Sequence, residues 1–542
     1  MLGLMQEWPL LLHKIIDFAA IQHPGVEVVS RTLEGPMHRT NYREVRLRAL
    51  RGSQRLAMDG IKLGDRVATL AWNGYRHLEA WYAIVGLGAI YHTVNPRLFP
   101  EQIAWIINHA EDRIVMLDAM FIPLVEPLAD KLPSVERYII MTDAAHMPPT
   151  KLKNAIAYES WLAEADGDWR WAEFDERTAA GLCYTSGTTG NPKGVLYSHR
   201  SNVLHSMAST SGDGLAVSVH DTVLPIVPMF HANSWSLAFS VPMRGAKLVM
   251  PGAKLDGASV FELLETEKVT MTAGVPTVWL MLLQYMQKEG KRLSTVKLVG
   301  IGGSAAPPAM VRTFEVDYGI EVRHAWGMTE MSPVGSTGSI KPVLSGLSHE
   351  ATLAMKAKQG WAPFGVEMKI TDDANNELPW DGKTFGRLKV AGFAVASSYF
   401  RGDGGEILGE DGFFDTGDVA TIDANGYMQI TDRSKDVIKS GGEWISSIDV
   451  ENIAVGHPEV AEAAVIGVHH PKWDERPLLI IVPKEGANPD KNSVLTFMQP
   501  QIAKWWLPDD VQFVKDIPHT ATGKINKLKL RETFKDYRLP TA

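Results

Sequence analysis

A single cysteine, Cys183, stands in a chain of 542 residues. That scarcity excludes an intrachain disulfide framework and any cysteine-based zinc cluster, and it fits a reducing compartment. Positive charge is also short. The 54 Lys and Arg face 63 Asp and Glu, and a net charge of −9 argues against the broad basic face of a nucleic-acid binder. No run of about 18 apolar residues occurs, so no transmembrane helix is expected. The N-terminal stretch MLGLMQEWPLLLHKIIDFAA has too short an apolar core, and no basic segment before it, to read as a signal peptide. Its Leu11, Leu12, Ile15, Ile16 and Ala19 fall at helical spacing, which predicts an amphipathic helix packed on a core. Together these absences read as a cytoplasmic protein without nucleic-acid partners. Internal repeats and low-complexity tracts are missing too.

What is present is alternation. A chain this long exceeds the roughly 250–300 residues that one core can serve, so two or more domains are expected. RVATLAW (66–72), AIYHTVN (89–95), RIVMLD (113–118), RYIIMT (137–142), TVLPIVP (222–228), KLVMPG (247–252), VTMTAG (269–274) and KLVGIG (297–302) read as buried strands. Stretches of helical period, such as HLEAWYAIVGLG (77–88), lie between them. Strand–helix alternation predicts α/β layers with largely parallel sheets. Past about residue 360 the pattern changes to short strands with turn signals. GRLKVAG (386–392) is one, and DVATIDANGYMQITD (418–432) carries Asn425-Gly426 as a hairpin signal. A mixed stretch after Arg433 ends in a basic helix, expected over 524–537. The chain divides into a domain of residues 1–432 and a smaller one of 433–542.

YTSGTTGNPKG (184–194) packs hydroxyls, glycines and a lysine into one loop after the predicted strand AAGLCY (179–184). It is not a Walker A loop, because Gly190 is followed by Asn191-Pro192-Lys193 and no Ser or Thr follows the lysine. The physical content still suits phosphate. Glycines let backbone N–H groups approach an anion, Thr185, Ser186, Thr188 and Thr189 supply donors, and Lys193 supplies charge. This loop resembles the phosphate-loop signature of the adenylate-forming enzymes, which include acyl-CoA synthetases, peptide-synthetase adenylation domains and luciferases. HAWGMTE (324–330), FFDTGDVA (413–420), DRSKDVIKSGGEWISSIDVE (432–451) and PHTATGKINK (518–527) resemble that family's further motifs, in family order and over nearly the full chain.

The resemblance implies a fold and a reaction. The fold class is α/β, with a large N-terminal domain of layered α/β subdomains and a small mobile α+β C-terminal domain hinged near Lys435. In the reaction a carboxylic acid attacks the α-phosphorus of ATP, with Mg2+, and coenzyme A then takes the acyl group. The phosphate set would be Thr185, Ser186, Gly187, Thr188, Thr189, Gly190 and Lys193. Gly303, Ser304 and Ala305 would run along the adenine, and Trp326 stands where the family often has a tyrosine stacked on it. Gly327, Met328 and Thr329 belong to the same segment, and Thr329 would contact the α-phosphate. Glu330 would hold the magnesium, which one carboxylate plus phosphate oxygens can serve. Asp418 and Arg433 would clamp the ribose. Lys524 would bridge the carboxylate and the α-phosphate, where losing such a contact costs on the order of 10²–10³ in rate. After rotation, Lys439, Gly441, Gly442 and Glu443 would serve thioester formation.

PMFHANSWSLAF (228–239) resembles the family's acyl-pocket segment, with His231 toward the carboxylate and Trp235 along the chain. Gly302, Pro333 and Val334 would complete the wall. That wall is apolar and lacks the acid that peptide-synthetase domains use for an amino group. Residues 72–112 resemble bacterial medium-chain acyl-CoA ligases, most of all their relatives acting on 3-methylmercaptopropionate, a thioether acid from dimethylsulfoniopropionate breakdown. Other readings of the same motifs are a general short- or medium-chain acid ligase, a luciferase-type oxygenase, an adenylation domain serving a carrier protein, and a non-catalytic nucleotide-binding module. The last predicts loss of Lys524 or Glu330, and both are present. One family departure is Arg387 in place of an acid, read as structural. A homodimer is left open.

Overall fold

The computed structural model describes residue 1 and residues 3–185, 191–441, 443–520 and 525–542, with the backbone alone at 443–444. The two largest sheets are built from the alternating segments, and their strands are mostly parallel. A seven-stranded sheet runs in the order 156–157, 137–140, 114–117, 66–70, 90–93, 179–184 and 194–198, antiparallel only at its last pair. An eight-stranded sheet runs 334–337, 321–327, 298–301, 271–274, 222–225, 247–250, 27–31 and 37–41. The predicted strands lie within these sheets; 179–184 keeps its expected bounds, and the other eight are shorter than their apolar runs. One hydrophobic core joins both sheets: Val67 and Tyr91 of the first and Val223 and Leu248 of the second share it with the helices Tyr42–Met58, Tyr75–Leu87 and Leu237–Arg244. Trp81 stacks on Tyr91 inside it, with ring centroids 4.3 Å apart. The N-terminal helix, His13–Gln22, buries Ile15, Ile16 and Ala19 as its spacing predicts.

A four-stranded antiparallel sheet follows, formed by Val366–Thr371, Gly386–Gly392, Phe414–Ile422 and Met428–Arg433. Its last two strands form the predicted hairpin, and Gly426 takes the left-handed φ of 82° in the turn. Asp423 shapes that turn by accepting the N–H groups of Asn425 and Tyr427. The next strand, Ile438–Ser440, belongs to a separate five-stranded sheet. In that sheet the two long strands Val460–His470 and Asp474–Pro483 present alternate residues to opposite faces. Val465, Leu479 and Ile481 pack under the helices Ser447–Val455 and Lys491–Met498, while Ala464, Ile466 and Ile480 pack under Leu530. The basic helix spans Lys527–Thr533, shorter than expected at both ends; the Asn526 side chain caps its start by accepting from Lys529 N–H, and Phe534 ends it. Among the described residues no helix is long and apolar enough to cross a membrane.

Candidate active site

A cavity of about 580 Å³ opens where the two large sheets, the four-stranded sheet and the C-terminal helix Lys527–Thr533 meet. Parallel strands deliver their carboxyl ends to it, the usual place for a ligand in open α/β sheets. Thr93 ends one strand there, Tyr184 and Thr185 end another, and Gly302 and Gly303 follow a third. Residues far apart in sequence thus converge without any local signal.

The predicted nucleotide residues are largely gathered here. Thr185, Gly303, Trp326, Gly327, Met328, Thr329, Glu330, Arg433 and Lys435 line the cavity. Thr329 is held from behind, where its carbonyl accepts the Tyr197 hydroxyl at 2.7 Å. Asp418 lies just beneath the lining, 3% exposed, with both carboxylate oxygens engaged. Trp326 Nε1–H donates to Oδ2 at 2.9 Å and Arg433 Nε pairs with Oδ1 at 2.8 Å. An indole at position 326 thus does something a phenol ring could not do in the same way, tying the ring edge to this acid. Each oxygen keeps a second lone pair for a further donor. Lys435, exposed at the cavity rim, has its pKa drawn below the ordinary lysine value by partial desolvation there. Ser304 and Ala305 do not line the cavity; Ala305 faces a separate depression beside Gln429 and Ile430.

Glu330 is buried, and its Oε1 accepts the Tyr399 hydroxyl at 2.6 Å. Burial first, and then the charge of Glu330, push the Tyr399 pKa well above the ordinary phenol value, so the phenol keeps its proton and donates. Lys193 places its ammonium 4.9 Å from the centre of the same tyrosine ring. Among the described residues no group of three or more His, Cys, Asp or Glu could hold a metal by itself. A single carboxylate such as Glu330 can serve a magnesium ion that draws its remaining ligands from phosphate oxygens and water.

The expected acyl residues also meet at the cavity: His231, Trp235, Gly302, Pro333 and Val334 all line it, with Phe230 beside them. Gly302 is required by close approach. A Cβ there would sit 3.0 Å from the Trp235 indole and 2.9 Å from the Ala325 carbonyl.

Other predicted residues are elsewhere. Lys439 is exposed on the strand Ile438–Ser440, and its N–H donates to Glu475 at 3.0 Å. Gly441, with φ of 61°, donates its N–H to the Trp473 carbonyl at 2.8 Å. Neither lines the cavity. Ser186, Gly187, Thr188, Thr189, Gly190, Gly442 and Lys524 lie outside the described residues, as does the side chain of Glu443. Thr520 and Ile525, on either side of the segment holding Lys524, both line the cavity. Sequence reading missed Tyr399 and Tyr197, which act across 69 and 132 positions. It also set aside Arg387, which lines the cavity and pairs with Asp415 at 3.1 Å.

With this geometry in hand, comparison with known proteins is specific. Residues 17–400 match the model of the AMP-binding enzyme family, and residues 449–524 match that of the AMP-binding enzyme C-terminal domain. The chain is 49% identical over 536 residues to the 3-methylmercaptopropionyl-CoA ligase of Ruegeria lacuscaerulensis, covering 99% of each chain. It is 46% identical to the medium-chain-fatty-acid–CoA ligase of Ectopseudomonas oleovorans, over 99% of this chain and 98% of that one. Among solved structures, the anthranilate CoA ligase AuaEII in complex with anthranoyl-AMP superposes with a TM-score of 0.85 at 23% identity, covering 98% of this chain and 99% of that one, a likeness of fold. The chain therefore belongs to the AMP-binding, adenylate-forming enzymes and is an acid–CoA ligase, using ATP, Mg2+ and coenzyme A.

Proposed function

We propose that the enzyme converts 3-methylmercaptopropionate to its CoA thioester, in the cytoplasm, by way of an acyl-adenylate. The observation that carries this reading is one cavity with two characters. Phe230, Trp235, Gly302, Pro333 and Val334 offer an apolar wall, while Thr329, Glu330, Arg433 and Lys435 offer charge and hydrogen bonds. An unbranched acid without a second polar group fits the first set, and ATP fits the second. The relative from Ruegeria, nearly half identical throughout, supports the thioether acid. The medium-chain relative favours a second reading, a broader ligase for butyrate to octanoate.

In this reading two anions must be brought together, so donors and cations have to offset their repulsion. His231 faces the substrate carboxylate. Thr329, fixed by Tyr197, donates to the α-phosphate. Arg433, oriented by Asp418, forms one arm of the ribose clamp. Glu330 holds magnesium, whose charge would offset that of the leaving pyrophosphate. Lys524 supplies the cation at the attacked phosphorus, and the cavity-lining positions of Thr520 and Ile525 support its arrival there. The thiol then attacks the acyl carbon and AMP leaves. For that step the domain of residues 433–542 would turn about Lys435 to bring Lys439 and Gly441 to the cavity, and their distance from it in the present arrangement agrees with such a turn.

The test is kcat/KM for CoA-dependent AMP release over acetate to decanoate and 3-methylmercaptopropionate. The thioether acid is expected to match or exceed its straight-chain neighbours. A maximum at hexanoate or octanoate would replace the narrow substrate with the broader one.

A further inference from the structure

Ala232, Asn233, Ser234, Trp235 and Ser236 all have positive φ, at 42°, 60°, 53°, 53° and 66°. None is glycine. They make one turn of left-handed helix directly before the right-handed helix Leu237–Arg244. Such a conformation is unfavourable for L-amino acids, so it persists only where surrounding contacts over-determine it. All five residues are buried.

Besides the Ser234 hydroxyl, which donates to the Val227 carbonyl at 2.6 Å, two hydrogen-bonded groups hold the turn. The first is a closed ring: the Tyr91 hydroxyl donates to Asn233 Oδ1 at 2.9 Å, Asn233 Nδ2 donates to Asn202 Oδ1 at 3.0 Å, and Asn202 Nδ2 donates back to the Tyr91 oxygen at 3.4 Å. The second is a relay. Val334 N–H donates to His205 Nε2 at 2.9 Å, His205 Nδ1 donates to Ser236 Oγ at 2.7 Å, and the Ser236 hydroxyl donates to the Ser332 carbonyl at 3.2 Å. The backbone N–H of Val334 assigns the proton of the neutral imidazole to Nδ1.

The spacing of these grips matters. Asn202 and His205 are three residues apart on the helix His199–Ser209 and so share one face. They grip Asn233 and Ser236, again three apart, at the two ends of the turn. Between the grips lies Trp235, which lines the cavity and packs over Gly302. The far end of the relay, Val334, lines the cavity as well. Asn202 and His205 do not line it.

We propose that Asn202 and His205 are positioning residues that set the depth of the acyl end, and with it the chain length the enzyme accepts, by holding the left-handed turn that carries Trp235. The proposal rests on the acid–CoA ligase assignment and deepens it.

The experiment measures kcat and KM for acids from acetate to decanoate and 3-methylmercaptopropionate, together with KM for ATP, in His205→Leu, Asn202→Leu, His205→Gln and the unaltered enzyme. The leucine variants are expected to raise KM for the preferred acid roughly 10-fold or more. They should also move or flatten the optimum by about two carbons, since each methylene carries discrimination in such a pocket. KM for ATP should stay unchanged. His205→Gln keeps one acceptor and one donor and is expected to restore most of the native profile. Ser236→Ala removes a single hydroxyl from the relay and carries the same expectation if the leucine variants do not fold. A uniform fall in kcat on every acid, with the optimum unmoved in a folded variant, would overturn this proposal alone. No AMP release by the unaltered enzyme with any acid would overturn the ligase assignment and this proposal with it.

Discussion

At the scale of single residues, some groups matter through the side chain they hold. Tyr399, on the cavity wall, is one. Its hydroxyl fixes one oxygen of the buried Glu330, so the orientation of the carboxylate proposed to hold magnesium depends on a phenol 69 positions away. Removing a partner of this kind costs roughly 10–100-fold in metal affinity or activity elsewhere. Tyr399→Phe is expected to raise the Mg2+ concentration needed for half-maximal ATP–pyrophosphate exchange about 10-fold, and an unchanged Mg2+ dependence would remove Tyr399 from the site. His205 offers a second test, through protons. Burial lowers its pKa from 6.5 to about 3, and no charged group acts on it. The folded state therefore keeps it neutral while the unfolded chain takes up a proton below pH 6.5, so stability falls as pH drops from about 6.5 toward 3. His205→Gln removes that proton. Between pH 5.5 and 4.5 the native enzyme should lose about 1.4 kcal/mol more stability than the variant, read from urea unfolding at each pH. Equal losses would show that His205 is protonated inside the fold.

At the scale of elements, the strands and helices of the first 300 residues were legible because burial on both faces writes itself as continuous apolar runs, and one-sided burial as helical period. The motif residues were legible for another reason: each sits in a short stretch whose composition is unusual. The left-handed turn at 232–236 was not legible. ANSWS holds no glycine, and its conformation is imposed by Tyr91, Asn202 and His205, which contact it across 31 to 142 positions. The C-terminal helix was overestimated at both ends: Asn526 caps its start before Lys527, and it stops at Thr533 although Lys535 and Arg538 carry the basic pattern on. The turn and the strand Leu298–Ile301 meet at Gly302, and that meeting can be tested. A methyl group there must displace either the indole of Trp235 or the neighbouring backbone carbonyl of Ala325. Gly302→Ala is expected to lower kcat/KM for octanoate about 10-fold relative to propionate. An unchanged ratio would mean that the indole yields without closing the acyl end.

At the scale of the whole molecule, the question is what keeps the C-terminal sheet in its present orientation over the cavity. The junction is polar and buried. Ser446 Oγ donates to the Thr431 carbonyl at 2.5 Å, and Ser447 donates to Asp432 Oδ2 through its N–H at 2.8 Å and its hydroxyl at 2.5 Å. Behind them Lys527 pairs with Glu451 at 2.9 Å and also donates to the Ser447 hydroxyl. Burial alone would lower the Lys527 pKa, yet the charges of Glu451 and Asp432 raise it overall, so its ammonium stays charged inside the protein. Asp432 is pushed up by burial, with Lys527 pulling it back. Thr431 and Asp432 lie before the proposed hinge at Lys435, whereas Ser446, Ser447 and Lys527 lie after it. Under the proposed rotation the contacts of Asp432 would break, so this acid would act as a latch for the arrangement proposed to serve adenylation. Asp432→Asn removes the charge and leaves one acceptor where the acid offered two. The variant is expected to lose ATP–pyrophosphate exchange roughly 10-fold, the worth of one charge-assisted hydrogen bond of about 1.5–3 kcal/mol at its lower end. Single-turnover transfer to coenzyme A from a preformed acyl-adenylate should hold its rate or gain, because that step needs the other arrangement. A merely structural acid would slow both steps by the same factor, and that outcome would sever the junction from the order of the two reactions.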